Sequence, residues 1–307
     1  MTSDLKLWEV GPRDGLQSEK KILTPQEKMQ LISALYKAGS RNMEVGSFVS
    51  PKSIPTLTES EVVLQHALTL QNLNANSLIM NAKGLDRALA AGAKSVCLVA
   101  IVSDSLSQKN AHRPSQQLFD ESLELLERAR NNNLFVRVDI ATSWVCPFEG
   151  PINFNRVIPF VEAFVKGGAD EIALADTIGH AYPAQVKNSF ETLSKIFGSL
   201  QKIGAHFHDT QGFGIANTAA ALEAGVRIFD SSIGGIGGCP YAPGAAGNLA
   251  TEDIVLLAQK MGLNTGLDLN EIWNAVELTG QLIGRKVGGR SAGWWYGRNK
   301  AQEQGGL

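Results

Sequence analysis

Short apolar runs rich in β-branched residues alternate along the chain with longer stretches whose apolar positions recur at helical spacing. Each short run is bounded by turn-forming residues and is therefore predicted to be a strand. The predicted strands are residues 5–10, 41–45, 76–80, 95–101, 134–140, 171–175, 203–208 and 227–232. Strands that alternate with helices are typical of a parallel sheet with crossover connections. Eight of them predict an α/β fold, a (β/α)₈ TIM barrel.

Local signals mark where several of the intervening helices begin and end. Thr24 followed by Pro25 and Glu27 predicts an N-cap and a proline in the first turn. Four helices are predicted to end in a small-residue turn, where the glycine serves as a C-cap. These turns are Ala38-Gly39, Ala91-Gly92-Ala93, Gly167-Gly168-Ala169 and Ala224-Gly225.

The pattern changes after the eighth predicted strand, which suggests four regions. We expect the barrel over residues 1–232, a Gly-rich loop containing a cysteine over 233–250, and C-terminal helices packed on the barrel over 251–295. The polar residues from Tyr296 to the end are expected to form a mobile tail. The predicted fold is therefore a barrel with a C-terminal helical extension.

Composition narrows the classes of protein that fit. The 307 residues are 44% hydrophobic, enough for one barrel-sized domain with an appendage. The formal charge of −2 and the absence of a dense Lys/Arg stripe argue against a nucleic-acid partner. No apolar run approaches the length of a membrane span, and no targeting leader is recognised. Three scattered cysteines favour a reducing cytoplasm over a disulfide framework.

Two histidines near the end of the seventh predicted strand are the first candidate for chemistry. His206 and His208 are two residues apart, so on a strand both side chains project from the same face, as two ligands of one metal would. The alternative is a pair of half-exposed histidines that bind nothing. Asp14, in the loop after the first strand, is the candidate oxygen ligand. With a carboxylate in the site, Mg or Mn becomes as plausible as Zn.

Polar residues follow several predicted strands at their C-terminal ends, where barrel enzymes place their active sites. They are Arg13, Asp14, Glu44, Asp176, His206 and His208. Structural alternatives exist for two of them: Glu44 could only be the partner of an arginine, and Asp176 could be a helix N-cap. A functional site explains the convergence of all six more simply.

Gly234 to Asn248 form a loop so rich in glycine that a close approach of the backbone to a ligand is expected. Cys239 within it could be an acid, a nucleophile or only a small loop residue. Asn248 could cap the next helix or offer an oxygen to a metal, and Thr251 is the competing cap. The Gly-Lys-Ser/Thr ending of a nucleotide P-loop is absent.

These segments together resemble 3-hydroxy-3-methylglutaryl-CoA lyases, members of the DRE-TIM metallolyase superfamily. The resemblance covers about residues 5–285 and is carried by Glu9 to Gln17, Ser47 to Lys52, Asp176 to Gly179, His206 to Thr210 and Gly237 to Asp253. It implies metal-dependent retro-Claisen cleavage of 3-hydroxy-3-methylglutaryl-CoA to acetyl-CoA and acetoacetate, with Mg or Mn as cofactor. It also implies a homodimer.

The resemblance further implies a role for each matching residue. The metal ligands would be Asp14, His206, His208 and Asn248. Glu44 would orient Arg13, which would stabilise the enolate of acetyl-CoA. His206, assisted by Asp176, would remove the hydroxyl proton, and Cys239 would protonate the enolate carbon. Contacts to the substrate are expected from Arg13, Gln17, Ser47 and Arg137.

Two positions depart from the family pattern and leave the exact substrate open. Members usually carry Gly-Tyr where this chain has Val138-Asp139, and a serine where it has Ala173. A longer-branched glutaryl-CoA or citramalyl-CoA is therefore an alternative substrate for the same mechanism. A condensing acyl-CoA synthase is a weaker alternative, because such enzymes usually carry a further regulatory region. A non-catalytic sensor of CoA esters is opposed by the complete set of polar residues.

Overall fold

Eight parallel strands close into a barrel in the computed structural model, which describes residues 3–50, 54–238 and 247–303. The strands are β1 (Lys6–Glu9), β2 (Asn42–Ser47), β3 (Asn74–Leu78), β4 (Ser95–Ile101), β5 (Phe135–Ala141), β6 (Glu171–Asp176), β7 (Ile203–Phe207) and β8 (Ile228–Ser231). The predicted (β/α)₈ TIM barrel is confirmed, and each predicted strand matches within two residues.

The first and last strands pair with each other and thereby close the barrel. β1 lies beside β8 in parallel, with Lys6 opposite Ile228 and Glu9 opposite Ser231. On its other side β1 pairs with β2 at a single position, Glu9 opposite Met43. The carboxyl ends of all eight strands consequently meet on one face, where side chains distant in sequence can converge.

Helices cover the outside of the barrel, and their apolar faces form the core with the strands. They are α1 (Pro25–Lys37), α2 (Ser60–Thr69), α3 (Ala82–Ala90), α4 (Asp104–Ala111), α5 (Ser115–Asn131), α6 (Ile158–Lys166), α7 (Pro183–Phe197) and α8 (Gly214–Glu223). None of the described helices combines the length and apolar character needed to cross a bilayer.

The predicted helix boundaries are largely confirmed. Thr24 caps α1 through a complete capping box, in which its side chain and that of Glu27 each accept the other residue's backbone N–H. Each of the four predicted turns contains a glycine with a left-handed backbone, namely Gly39 with φ 103°, Gly92, Gly168 and Gly225 with φ 99°. A short ribbon of Val145–Cys146 and Gly150–Pro151 after β5 was not predicted.

A C-terminal extension of three helices packs on the barrel: α9 (Thr251–Lys260), α10 (Leu269–Ile283) and α11 (Ala292–Glu303). Instead of the tail expected from Tyr296, the structure has α11, which runs through Glu303. This helix is held because the buried Trp295 ring stacks on Trp273, with 5.2 Å between centroids. Asp253 also accepts hydrogen bonds from the backbone N–H groups of Arg290 and Ser291 just before it.

Buried carboxylates join the barrel to the chain that follows β8. Glu9 accepts backbone hydrogen bonds from Gly11 and Ile233, at 2.8 and 2.9 Å, and a hydroxyl hydrogen bond from Thr251. Glu252 accepts the backbone N–H groups of Gly234 and Gly289. Both carboxylates thus satisfy buried donors at the base of the Gly-rich loop.

Candidate active site

A cavity of about 660 Å³ opens at the carboxyl ends of the strands. Its floor and walls include side chains from β1, β5, β6 and β7 or from the residues directly after them, namely Arg13, Asp14, Gln17, Asp139, Ala141, Ala175, Thr177, His206 and His208. Its mouth is bordered by the end of α4, with Lys109, Asn110, His112 and Arg113. The polar residues predicted to converge do so largely at this cavity.

Arg13 and Asp14 are presented by one turn of π-helix, Gly11–Gly15, directly after β1. Such turns are rare and occur often at functional sites. Gly15 permits the turn to pack against the chain after β8, because a Cβ there would lie 2.6 Å from Cγ1 of Ile236. The sequence Gly-Pro-Arg-Asp-Gly therefore fixes two charged side chains at the cavity in a tight backbone arrangement.

The Arg13 guanidinium is held between two carboxylates. Its Nε donates to Oε2 of Glu44 at 2.6 Å, and its Nη1 donates to Oδ1 of Asp14 at 2.7 Å. Glu44 was predicted to orient Arg13, or alternatively to be only the partner of an arginine. Its ion pair with Arg13 is consistent with both interpretations. Because guanidinium carries five N–H donors, the fork keeps donors for an oxygen of a bound substrate.

Asp14, His206 and His208 form a possible metal site. One potential ligand atom from each lies within 4.8 Å of the others. Nδ1 of His208 is 3.0 Å from the carbonyl oxygen of Asp176, so it must carry the proton and leave the lone pair on Nε2. Nδ1 of His206 is 2.9 Å from Oδ2 of Asp230. Both rings are thus held by a hydrogen bond at Nδ1, opposite the nitrogen that would bind the metal, as metal-ligating imidazoles usually are.

Asn248 lies beside this triad, and its side-chain oxygen is an unused hydrogen-bond acceptor among the described residues. Its Nδ2 donates to Oδ2 of Asp14 at 2.8 Å and to the carbonyl oxygen of Ile236. Its Oδ1 is buried and has no hydrogen-bond partner among the described residues. An orphaned amide oxygen beside a carboxylate and two imidazoles is a donor set that fits a divalent cation. Neither Asn248 nor Thr251 caps α9, whose N-cap is Ala250, so both cap interpretations are wrong.

Burial and neighbouring charges separate the pKa values of the triad. Burial acts to raise the pKa of Asp14, but the charges of Arg13 and the histidines lower it to about 2. Burial acts to lower the pKa of His206, but the hydrogen bond and charge of Asp230 raise it to about 9. Burial and repulsion from His206 lower the pKa of His208 to about 4. Asp14 is therefore ionised at neutral pH, and the proton that His206 holds would have to leave before its Nε2 could bind a cation.

Asp176 ends β6 and uses its carboxylate to hold the following turn. Its two oxygens accept the backbone N–H groups of His180 and Ala181, at 3.0 and 3.1 Å. Burial raises the pKa of Asp176 to about 6, although these hydrogen bonds partly offset the effect. Asp176 therefore accepts backbone N–H groups as an N-cap would, but it is not the N-cap of α7, because the turn that it holds precedes this helix, which begins at Pro183.

The structure brings some predicted substrate contacts to the cavity but not others. Gln17 lines it, with a buried Oε1 that has no partner in the described part of the chain. Ser47 is not among the lining residues; its Oγ accepts the N–H of Val49. Arg137 is also absent from the lining and donates to Asp230 inside the barrel. Cys239 lies outside the described residues.

Asp230 is an acidic residue of the site that sequence reasoning did not anticipate, whereas Asp139 was singled out as a departure from the family pattern. Asp230, on β8, is 2% exposed and contacts both Arg137 and His206. Asp139, on β5, lines the cavity, whereas the second departing residue, Ala173, is fully buried and does not. An acid inside an otherwise apolar strand was the available signal, because such groups are seldom buried without a function or a partner.

Comparison with known proteins agrees with this arrangement. A family model described as HMGL-like matches residues 4–279. The mitochondrial hydroxymethylglutaryl-CoA lyase of Homo sapiens is 38% identical over 288 residues, covering 94% of this chain and 88% of the human protein. The hydroxymethylglutaryl-CoA lyase YngG of Bacillus subtilis is 37% identical and covers 92% of this chain and 94% of its own length.

Solved structures give the same result. The crystal structure of HMG-CoA lyase from Bacillus subtilis superposes with a TM-score of 0.92 at 34% identity, covering 96% of this chain and 99% of that one. An HMG-CoA lyase from Acinetobacter baumannii, solved in complex with coenzyme A and 3-methylmalate, gives a TM-score of 0.89 at 37% identity and covers 95% and 96%. The chain therefore belongs to the hydroxymethylglutaryl-CoA lyase family of carbon–carbon lyases.

Proposed function

We propose that this protein cleaves 3-hydroxy-3-methylglutaryl-CoA to acetyl-CoA and acetoacetate with the help of a divalent cation, Mg or Mn. One observation carries the proposal: a guanidinium and a three-residue set of metal donors face the same cavity in a chain of the lyase family. The curated relatives are named for this activity.

Arg13 is suited to the charge that develops during cleavage. Breaking the bond between C2 and C3 leaves an enolate on the acetyl-CoA fragment, and a fixed cation close to the thioester oxygen stabilises it. Arg13 keeps its position through Glu44 and Asp14, so little reorganisation is needed. When bound by Asp14, His206, His208 and Asn248, the cation would supply Lewis acidity toward the substrate's oxygens.

The mouth of the cavity fits the other end of an acyl-CoA. Lys109 brings positive charge to the rim, where Arg113 also lies in an ion pair with Glu121, and the phosphates of a CoA moiety are negatively charged. Inside, Val99, Ile101 and Leu118 provide apolar wall between this rim and the polar floor. A long thioester with a charged tail and a short reactive head matches this division.

Acetyl-CoA release tests the function directly. Purified protein supplied with 3-hydroxy-3-methylglutaryl-CoA and Mg or Mn is expected to turn over, and a chelator is expected to abolish turnover until metal is restored. H208A removes one imidazole and should behave like the chelated enzyme. H66A is the matched control, because His66 lies on the outer helix α2 and its ring is hydrogen-bonded to Ser33 of α1. Full activity in the presence of a chelator would contradict the proposed cation.

A related 3-hydroxyacyl-CoA is the second candidate substrate, and the position of Asp139 favours testing it. This carboxylate occupies the floor of the cavity, where it would repel a second carboxylate placed close to it. If 3-hydroxy-3-methylglutaryl-CoA is not cleaved by folded, metal-loaded protein, a longer-branched glutaryl-CoA and citramalyl-CoA should be tried next.

Three expectations from the sequence remain predictions. Cys239 as the donor of a proton to the enolate would be supported if C239A lost turnover while still binding metal. The homodimer is testable by sedimentation. The cytoplasmic location is supported only by Cys97 and Cys146, which are buried free thiols, as is typical of a reducing compartment.

A further inference from the structure

We infer that Arg290 is a positioning residue for the proposed metal site, on which it acts through Asp209. Asp209 joins the chain segment that carries His208 to the segment that carries Asn248. The inference rests on the proposed function, because it concerns the cation proposed for that site. It follows from the contacts of the residues just before α11, to which the proposed function gives no role.

Asp209 connects the two ligand segments through its backbone. It directly follows His208, and its N–H donates to the carbonyl oxygen of Gly247 at 3.1 Å. Gly247 precedes Asn248, which pairs with His208 in an isolated antiparallel bridge. A displacement of Asp209 would therefore be passed on to two of the four proposed ligands.

The Asp209 side chain is held from two sides. Its Oδ1 accepts the N–H of Gly214, the first residue of α8, at 2.9 Å. Its Oδ2 accepts from Nε of Arg290 at 2.5 Å, and Nη2 of Arg290 donates to the carbonyl oxygen of Asp209 at 3.1 Å. The planar guanidinium thus contacts both the side chain and the backbone of one residue. Within the described part of the chain, no other cationic side chain forms an ion pair with Asp209.

The backbone of Arg290 is fixed by the first turn of α9. Arg290 and Ser291 donate their N–H groups to the Asp253 carboxylate, at 2.6 and 2.9 Å. Gly289 donates its N–H to Glu252 at 2.7 Å. A Cβ at Gly289 would lie 2.3 Å from Oδ2 of Asp253, so this close approach requires a glycine. The guanidinium therefore extends from a fixed point of the backbone.

The exposure of the two side chains separates positioning from a general contribution to stability. The Arg290 side chain is 61% exposed and that of Asp209 is 14% exposed. An ion pair this accessible to water contributes little to the stability of a fold. Its geometry still affects a cation, because contacts outside the ligand shell orient the ligands and change metal affinity. Loss of the Arg290 side chain should weaken metal binding and leave the unfolding of metal-free protein nearly unchanged.

The test compares Mn²⁺ binding to metal-free wild type and R290A by calorimetric titration. We expect Mn²⁺ affinity to fall by about 3- to 10-fold, which is less than the roughly 10- to 100-fold loss usual for a direct partner of a ligand, because Arg290 lies one residue further from the cation. R128A, which removes an exposed ion pair with Asp86, is the matched control and should bind Mn²⁺ normally. Wild type is measured first, because a wild type that does not bind Mn²⁺ would refute the proposed cation rather than this assignment.

Turnover at different Mn²⁺ concentrations separates an effect on the metal from an effect on the substrate. Arg290 is not among the described residues that line the cavity. R290A should therefore need more Mn²⁺ for half-maximal activity and should reach nearly the wild-type kcat when Mn²⁺ is saturating. A kcat that stays low at saturating Mn²⁺ would overturn the assignment.

A double-mutant cycle shows whether Arg290 acts through Asp209. D209N keeps an oxygen for the N–H of Gly214 but loses the charge that pairs with Arg290. R290A should therefore lower Mn²⁺ affinity less in the D209N background than in wild type. R290K keeps the charge and should recover part of the affinity. The assignment is refuted if R290A binds Mn²⁺ as tightly as wild type, if the two substitutions are additive, or if metal-free R290A melts far below wild type.

Discussion

Asp230 connects the metal-ligand layer to the ion pairs inside the barrel. One of its oxygens accepts from His206 and the other from Arg137, and its side chain is almost fully buried. A carboxylate behind a ligating imidazole fixes the tautomer and raises the basicity of the coordinating nitrogen. Asp230 is therefore a positioning residue, which acts on the site through His206.

We predict that D230N lowers Mn²⁺ affinity by about 10- to 100-fold, the usual effect of losing such a partner. Calorimetric titration of metal-free protein measures this affinity independently of turnover. Thermal unfolding of metal-free D230N controls for the weakened ion pair with Arg137. Unchanged Mn²⁺ affinity in a folded variant would show that His206 does not depend on Asp230 for its orientation.

Glu9 gives a prediction about pH. Burial raises the pKa of Glu9 to about 7, and the hydrogen bonds from Thr251, Ile233 and Gly11 offset this only in part. The folded protein then keeps a proton that the unfolded chain releases near 4.5, so the contribution of Glu9 to stability is present at low pH and declines as pH rises through this window.

E9Q cannot titrate and should lose less stability over the same window. Between pH 5 and pH 8 the melting temperature of E9Q should therefore rise relative to that of wild type. The corresponding gain in relative free energy of unfolding is at most ~3 kcal/mol. E162Q, on the exposed side of α6, controls for the general effect of the substitution. A difference that stays constant with pH would mean that Glu9 is charged in the folded state.

Residues predicted from strand ends were placed well, whereas those that depend on packing inside the barrel were not. Asp14 and His206 follow or end strands, and that position determines where they point. Arg137 was expected to meet the substrate, but it is the third residue of β5 and lies deeper, where Asp230 binds it. Pairings across a barrel depend on how the strands are staggered, and no local pattern records this.

The segment after β8 shows how an element can depend on a single glycine. Gly237 has φ 106°, and a Cβ there would lie 2.5 Å from Nδ2 of Asn248. Asn248 in turn donates to Asp14. Its neighbour Leu249 donates to the carbonyl oxygen of Phe207 at the end of β7, and the carbonyl oxygen of Gly247 accepts from the N–H of Asp209. The backbone of this segment must approach the metal site closely.

We predict that G237A displaces the Asn248 side chain and lowers both Mn²⁺ affinity and turnover. G262A is the matched control, because Gly262 also has a left-handed backbone, φ 72°, but a Cβ there would meet nothing within 4 Å. Its expected effect is a stability loss of roughly 1–2 kcal/mol with normal Mn²⁺ binding. Equal Mn²⁺ affinities in the two variants would refute the steric explanation.

Regular elements were predictable because strand and helix periods differ and turn residues mark their ends. The helix α11 was not, because its sequence contains two glycines and becomes polar after Tyr296, which gives little sign of helix formation. Its position depends on Trp273 and Asp253, which belong to α10 and α9. Tertiary contacts of this kind are invisible in a local window.

At the scale of the whole molecule, the site joins distant parts of the chain. Asp14 follows the first strand, and His206, His208 and Asn248 come from the last third of the sequence. A ligand that binds only the folded state stabilises it by mass action. We predict that Mn²⁺ at 100 times its Kd adds about 2.7 kcal/mol to the free energy of unfolding.

Thermal denaturation with and without Mn²⁺ measures this gain, and H208A should lose it while H66A keeps it. Stabilisation that persists in H208A would place the cation elsewhere on the protein.

Pairing of β1 with β8 determines when a newly synthesised molecule can complete its barrel. During synthesis one edge of β1 stays unpaired until β8 has been made, at nearly three quarters of the chain. A fragment that lacks Asp14 or stops before Asn248, whether nascent or cut by a protease, cannot assemble the four predicted ligands. Metal binding at this site therefore requires the chain from β1 through Asn248, and a molecule that lacks either part is expected to have no lyase activity.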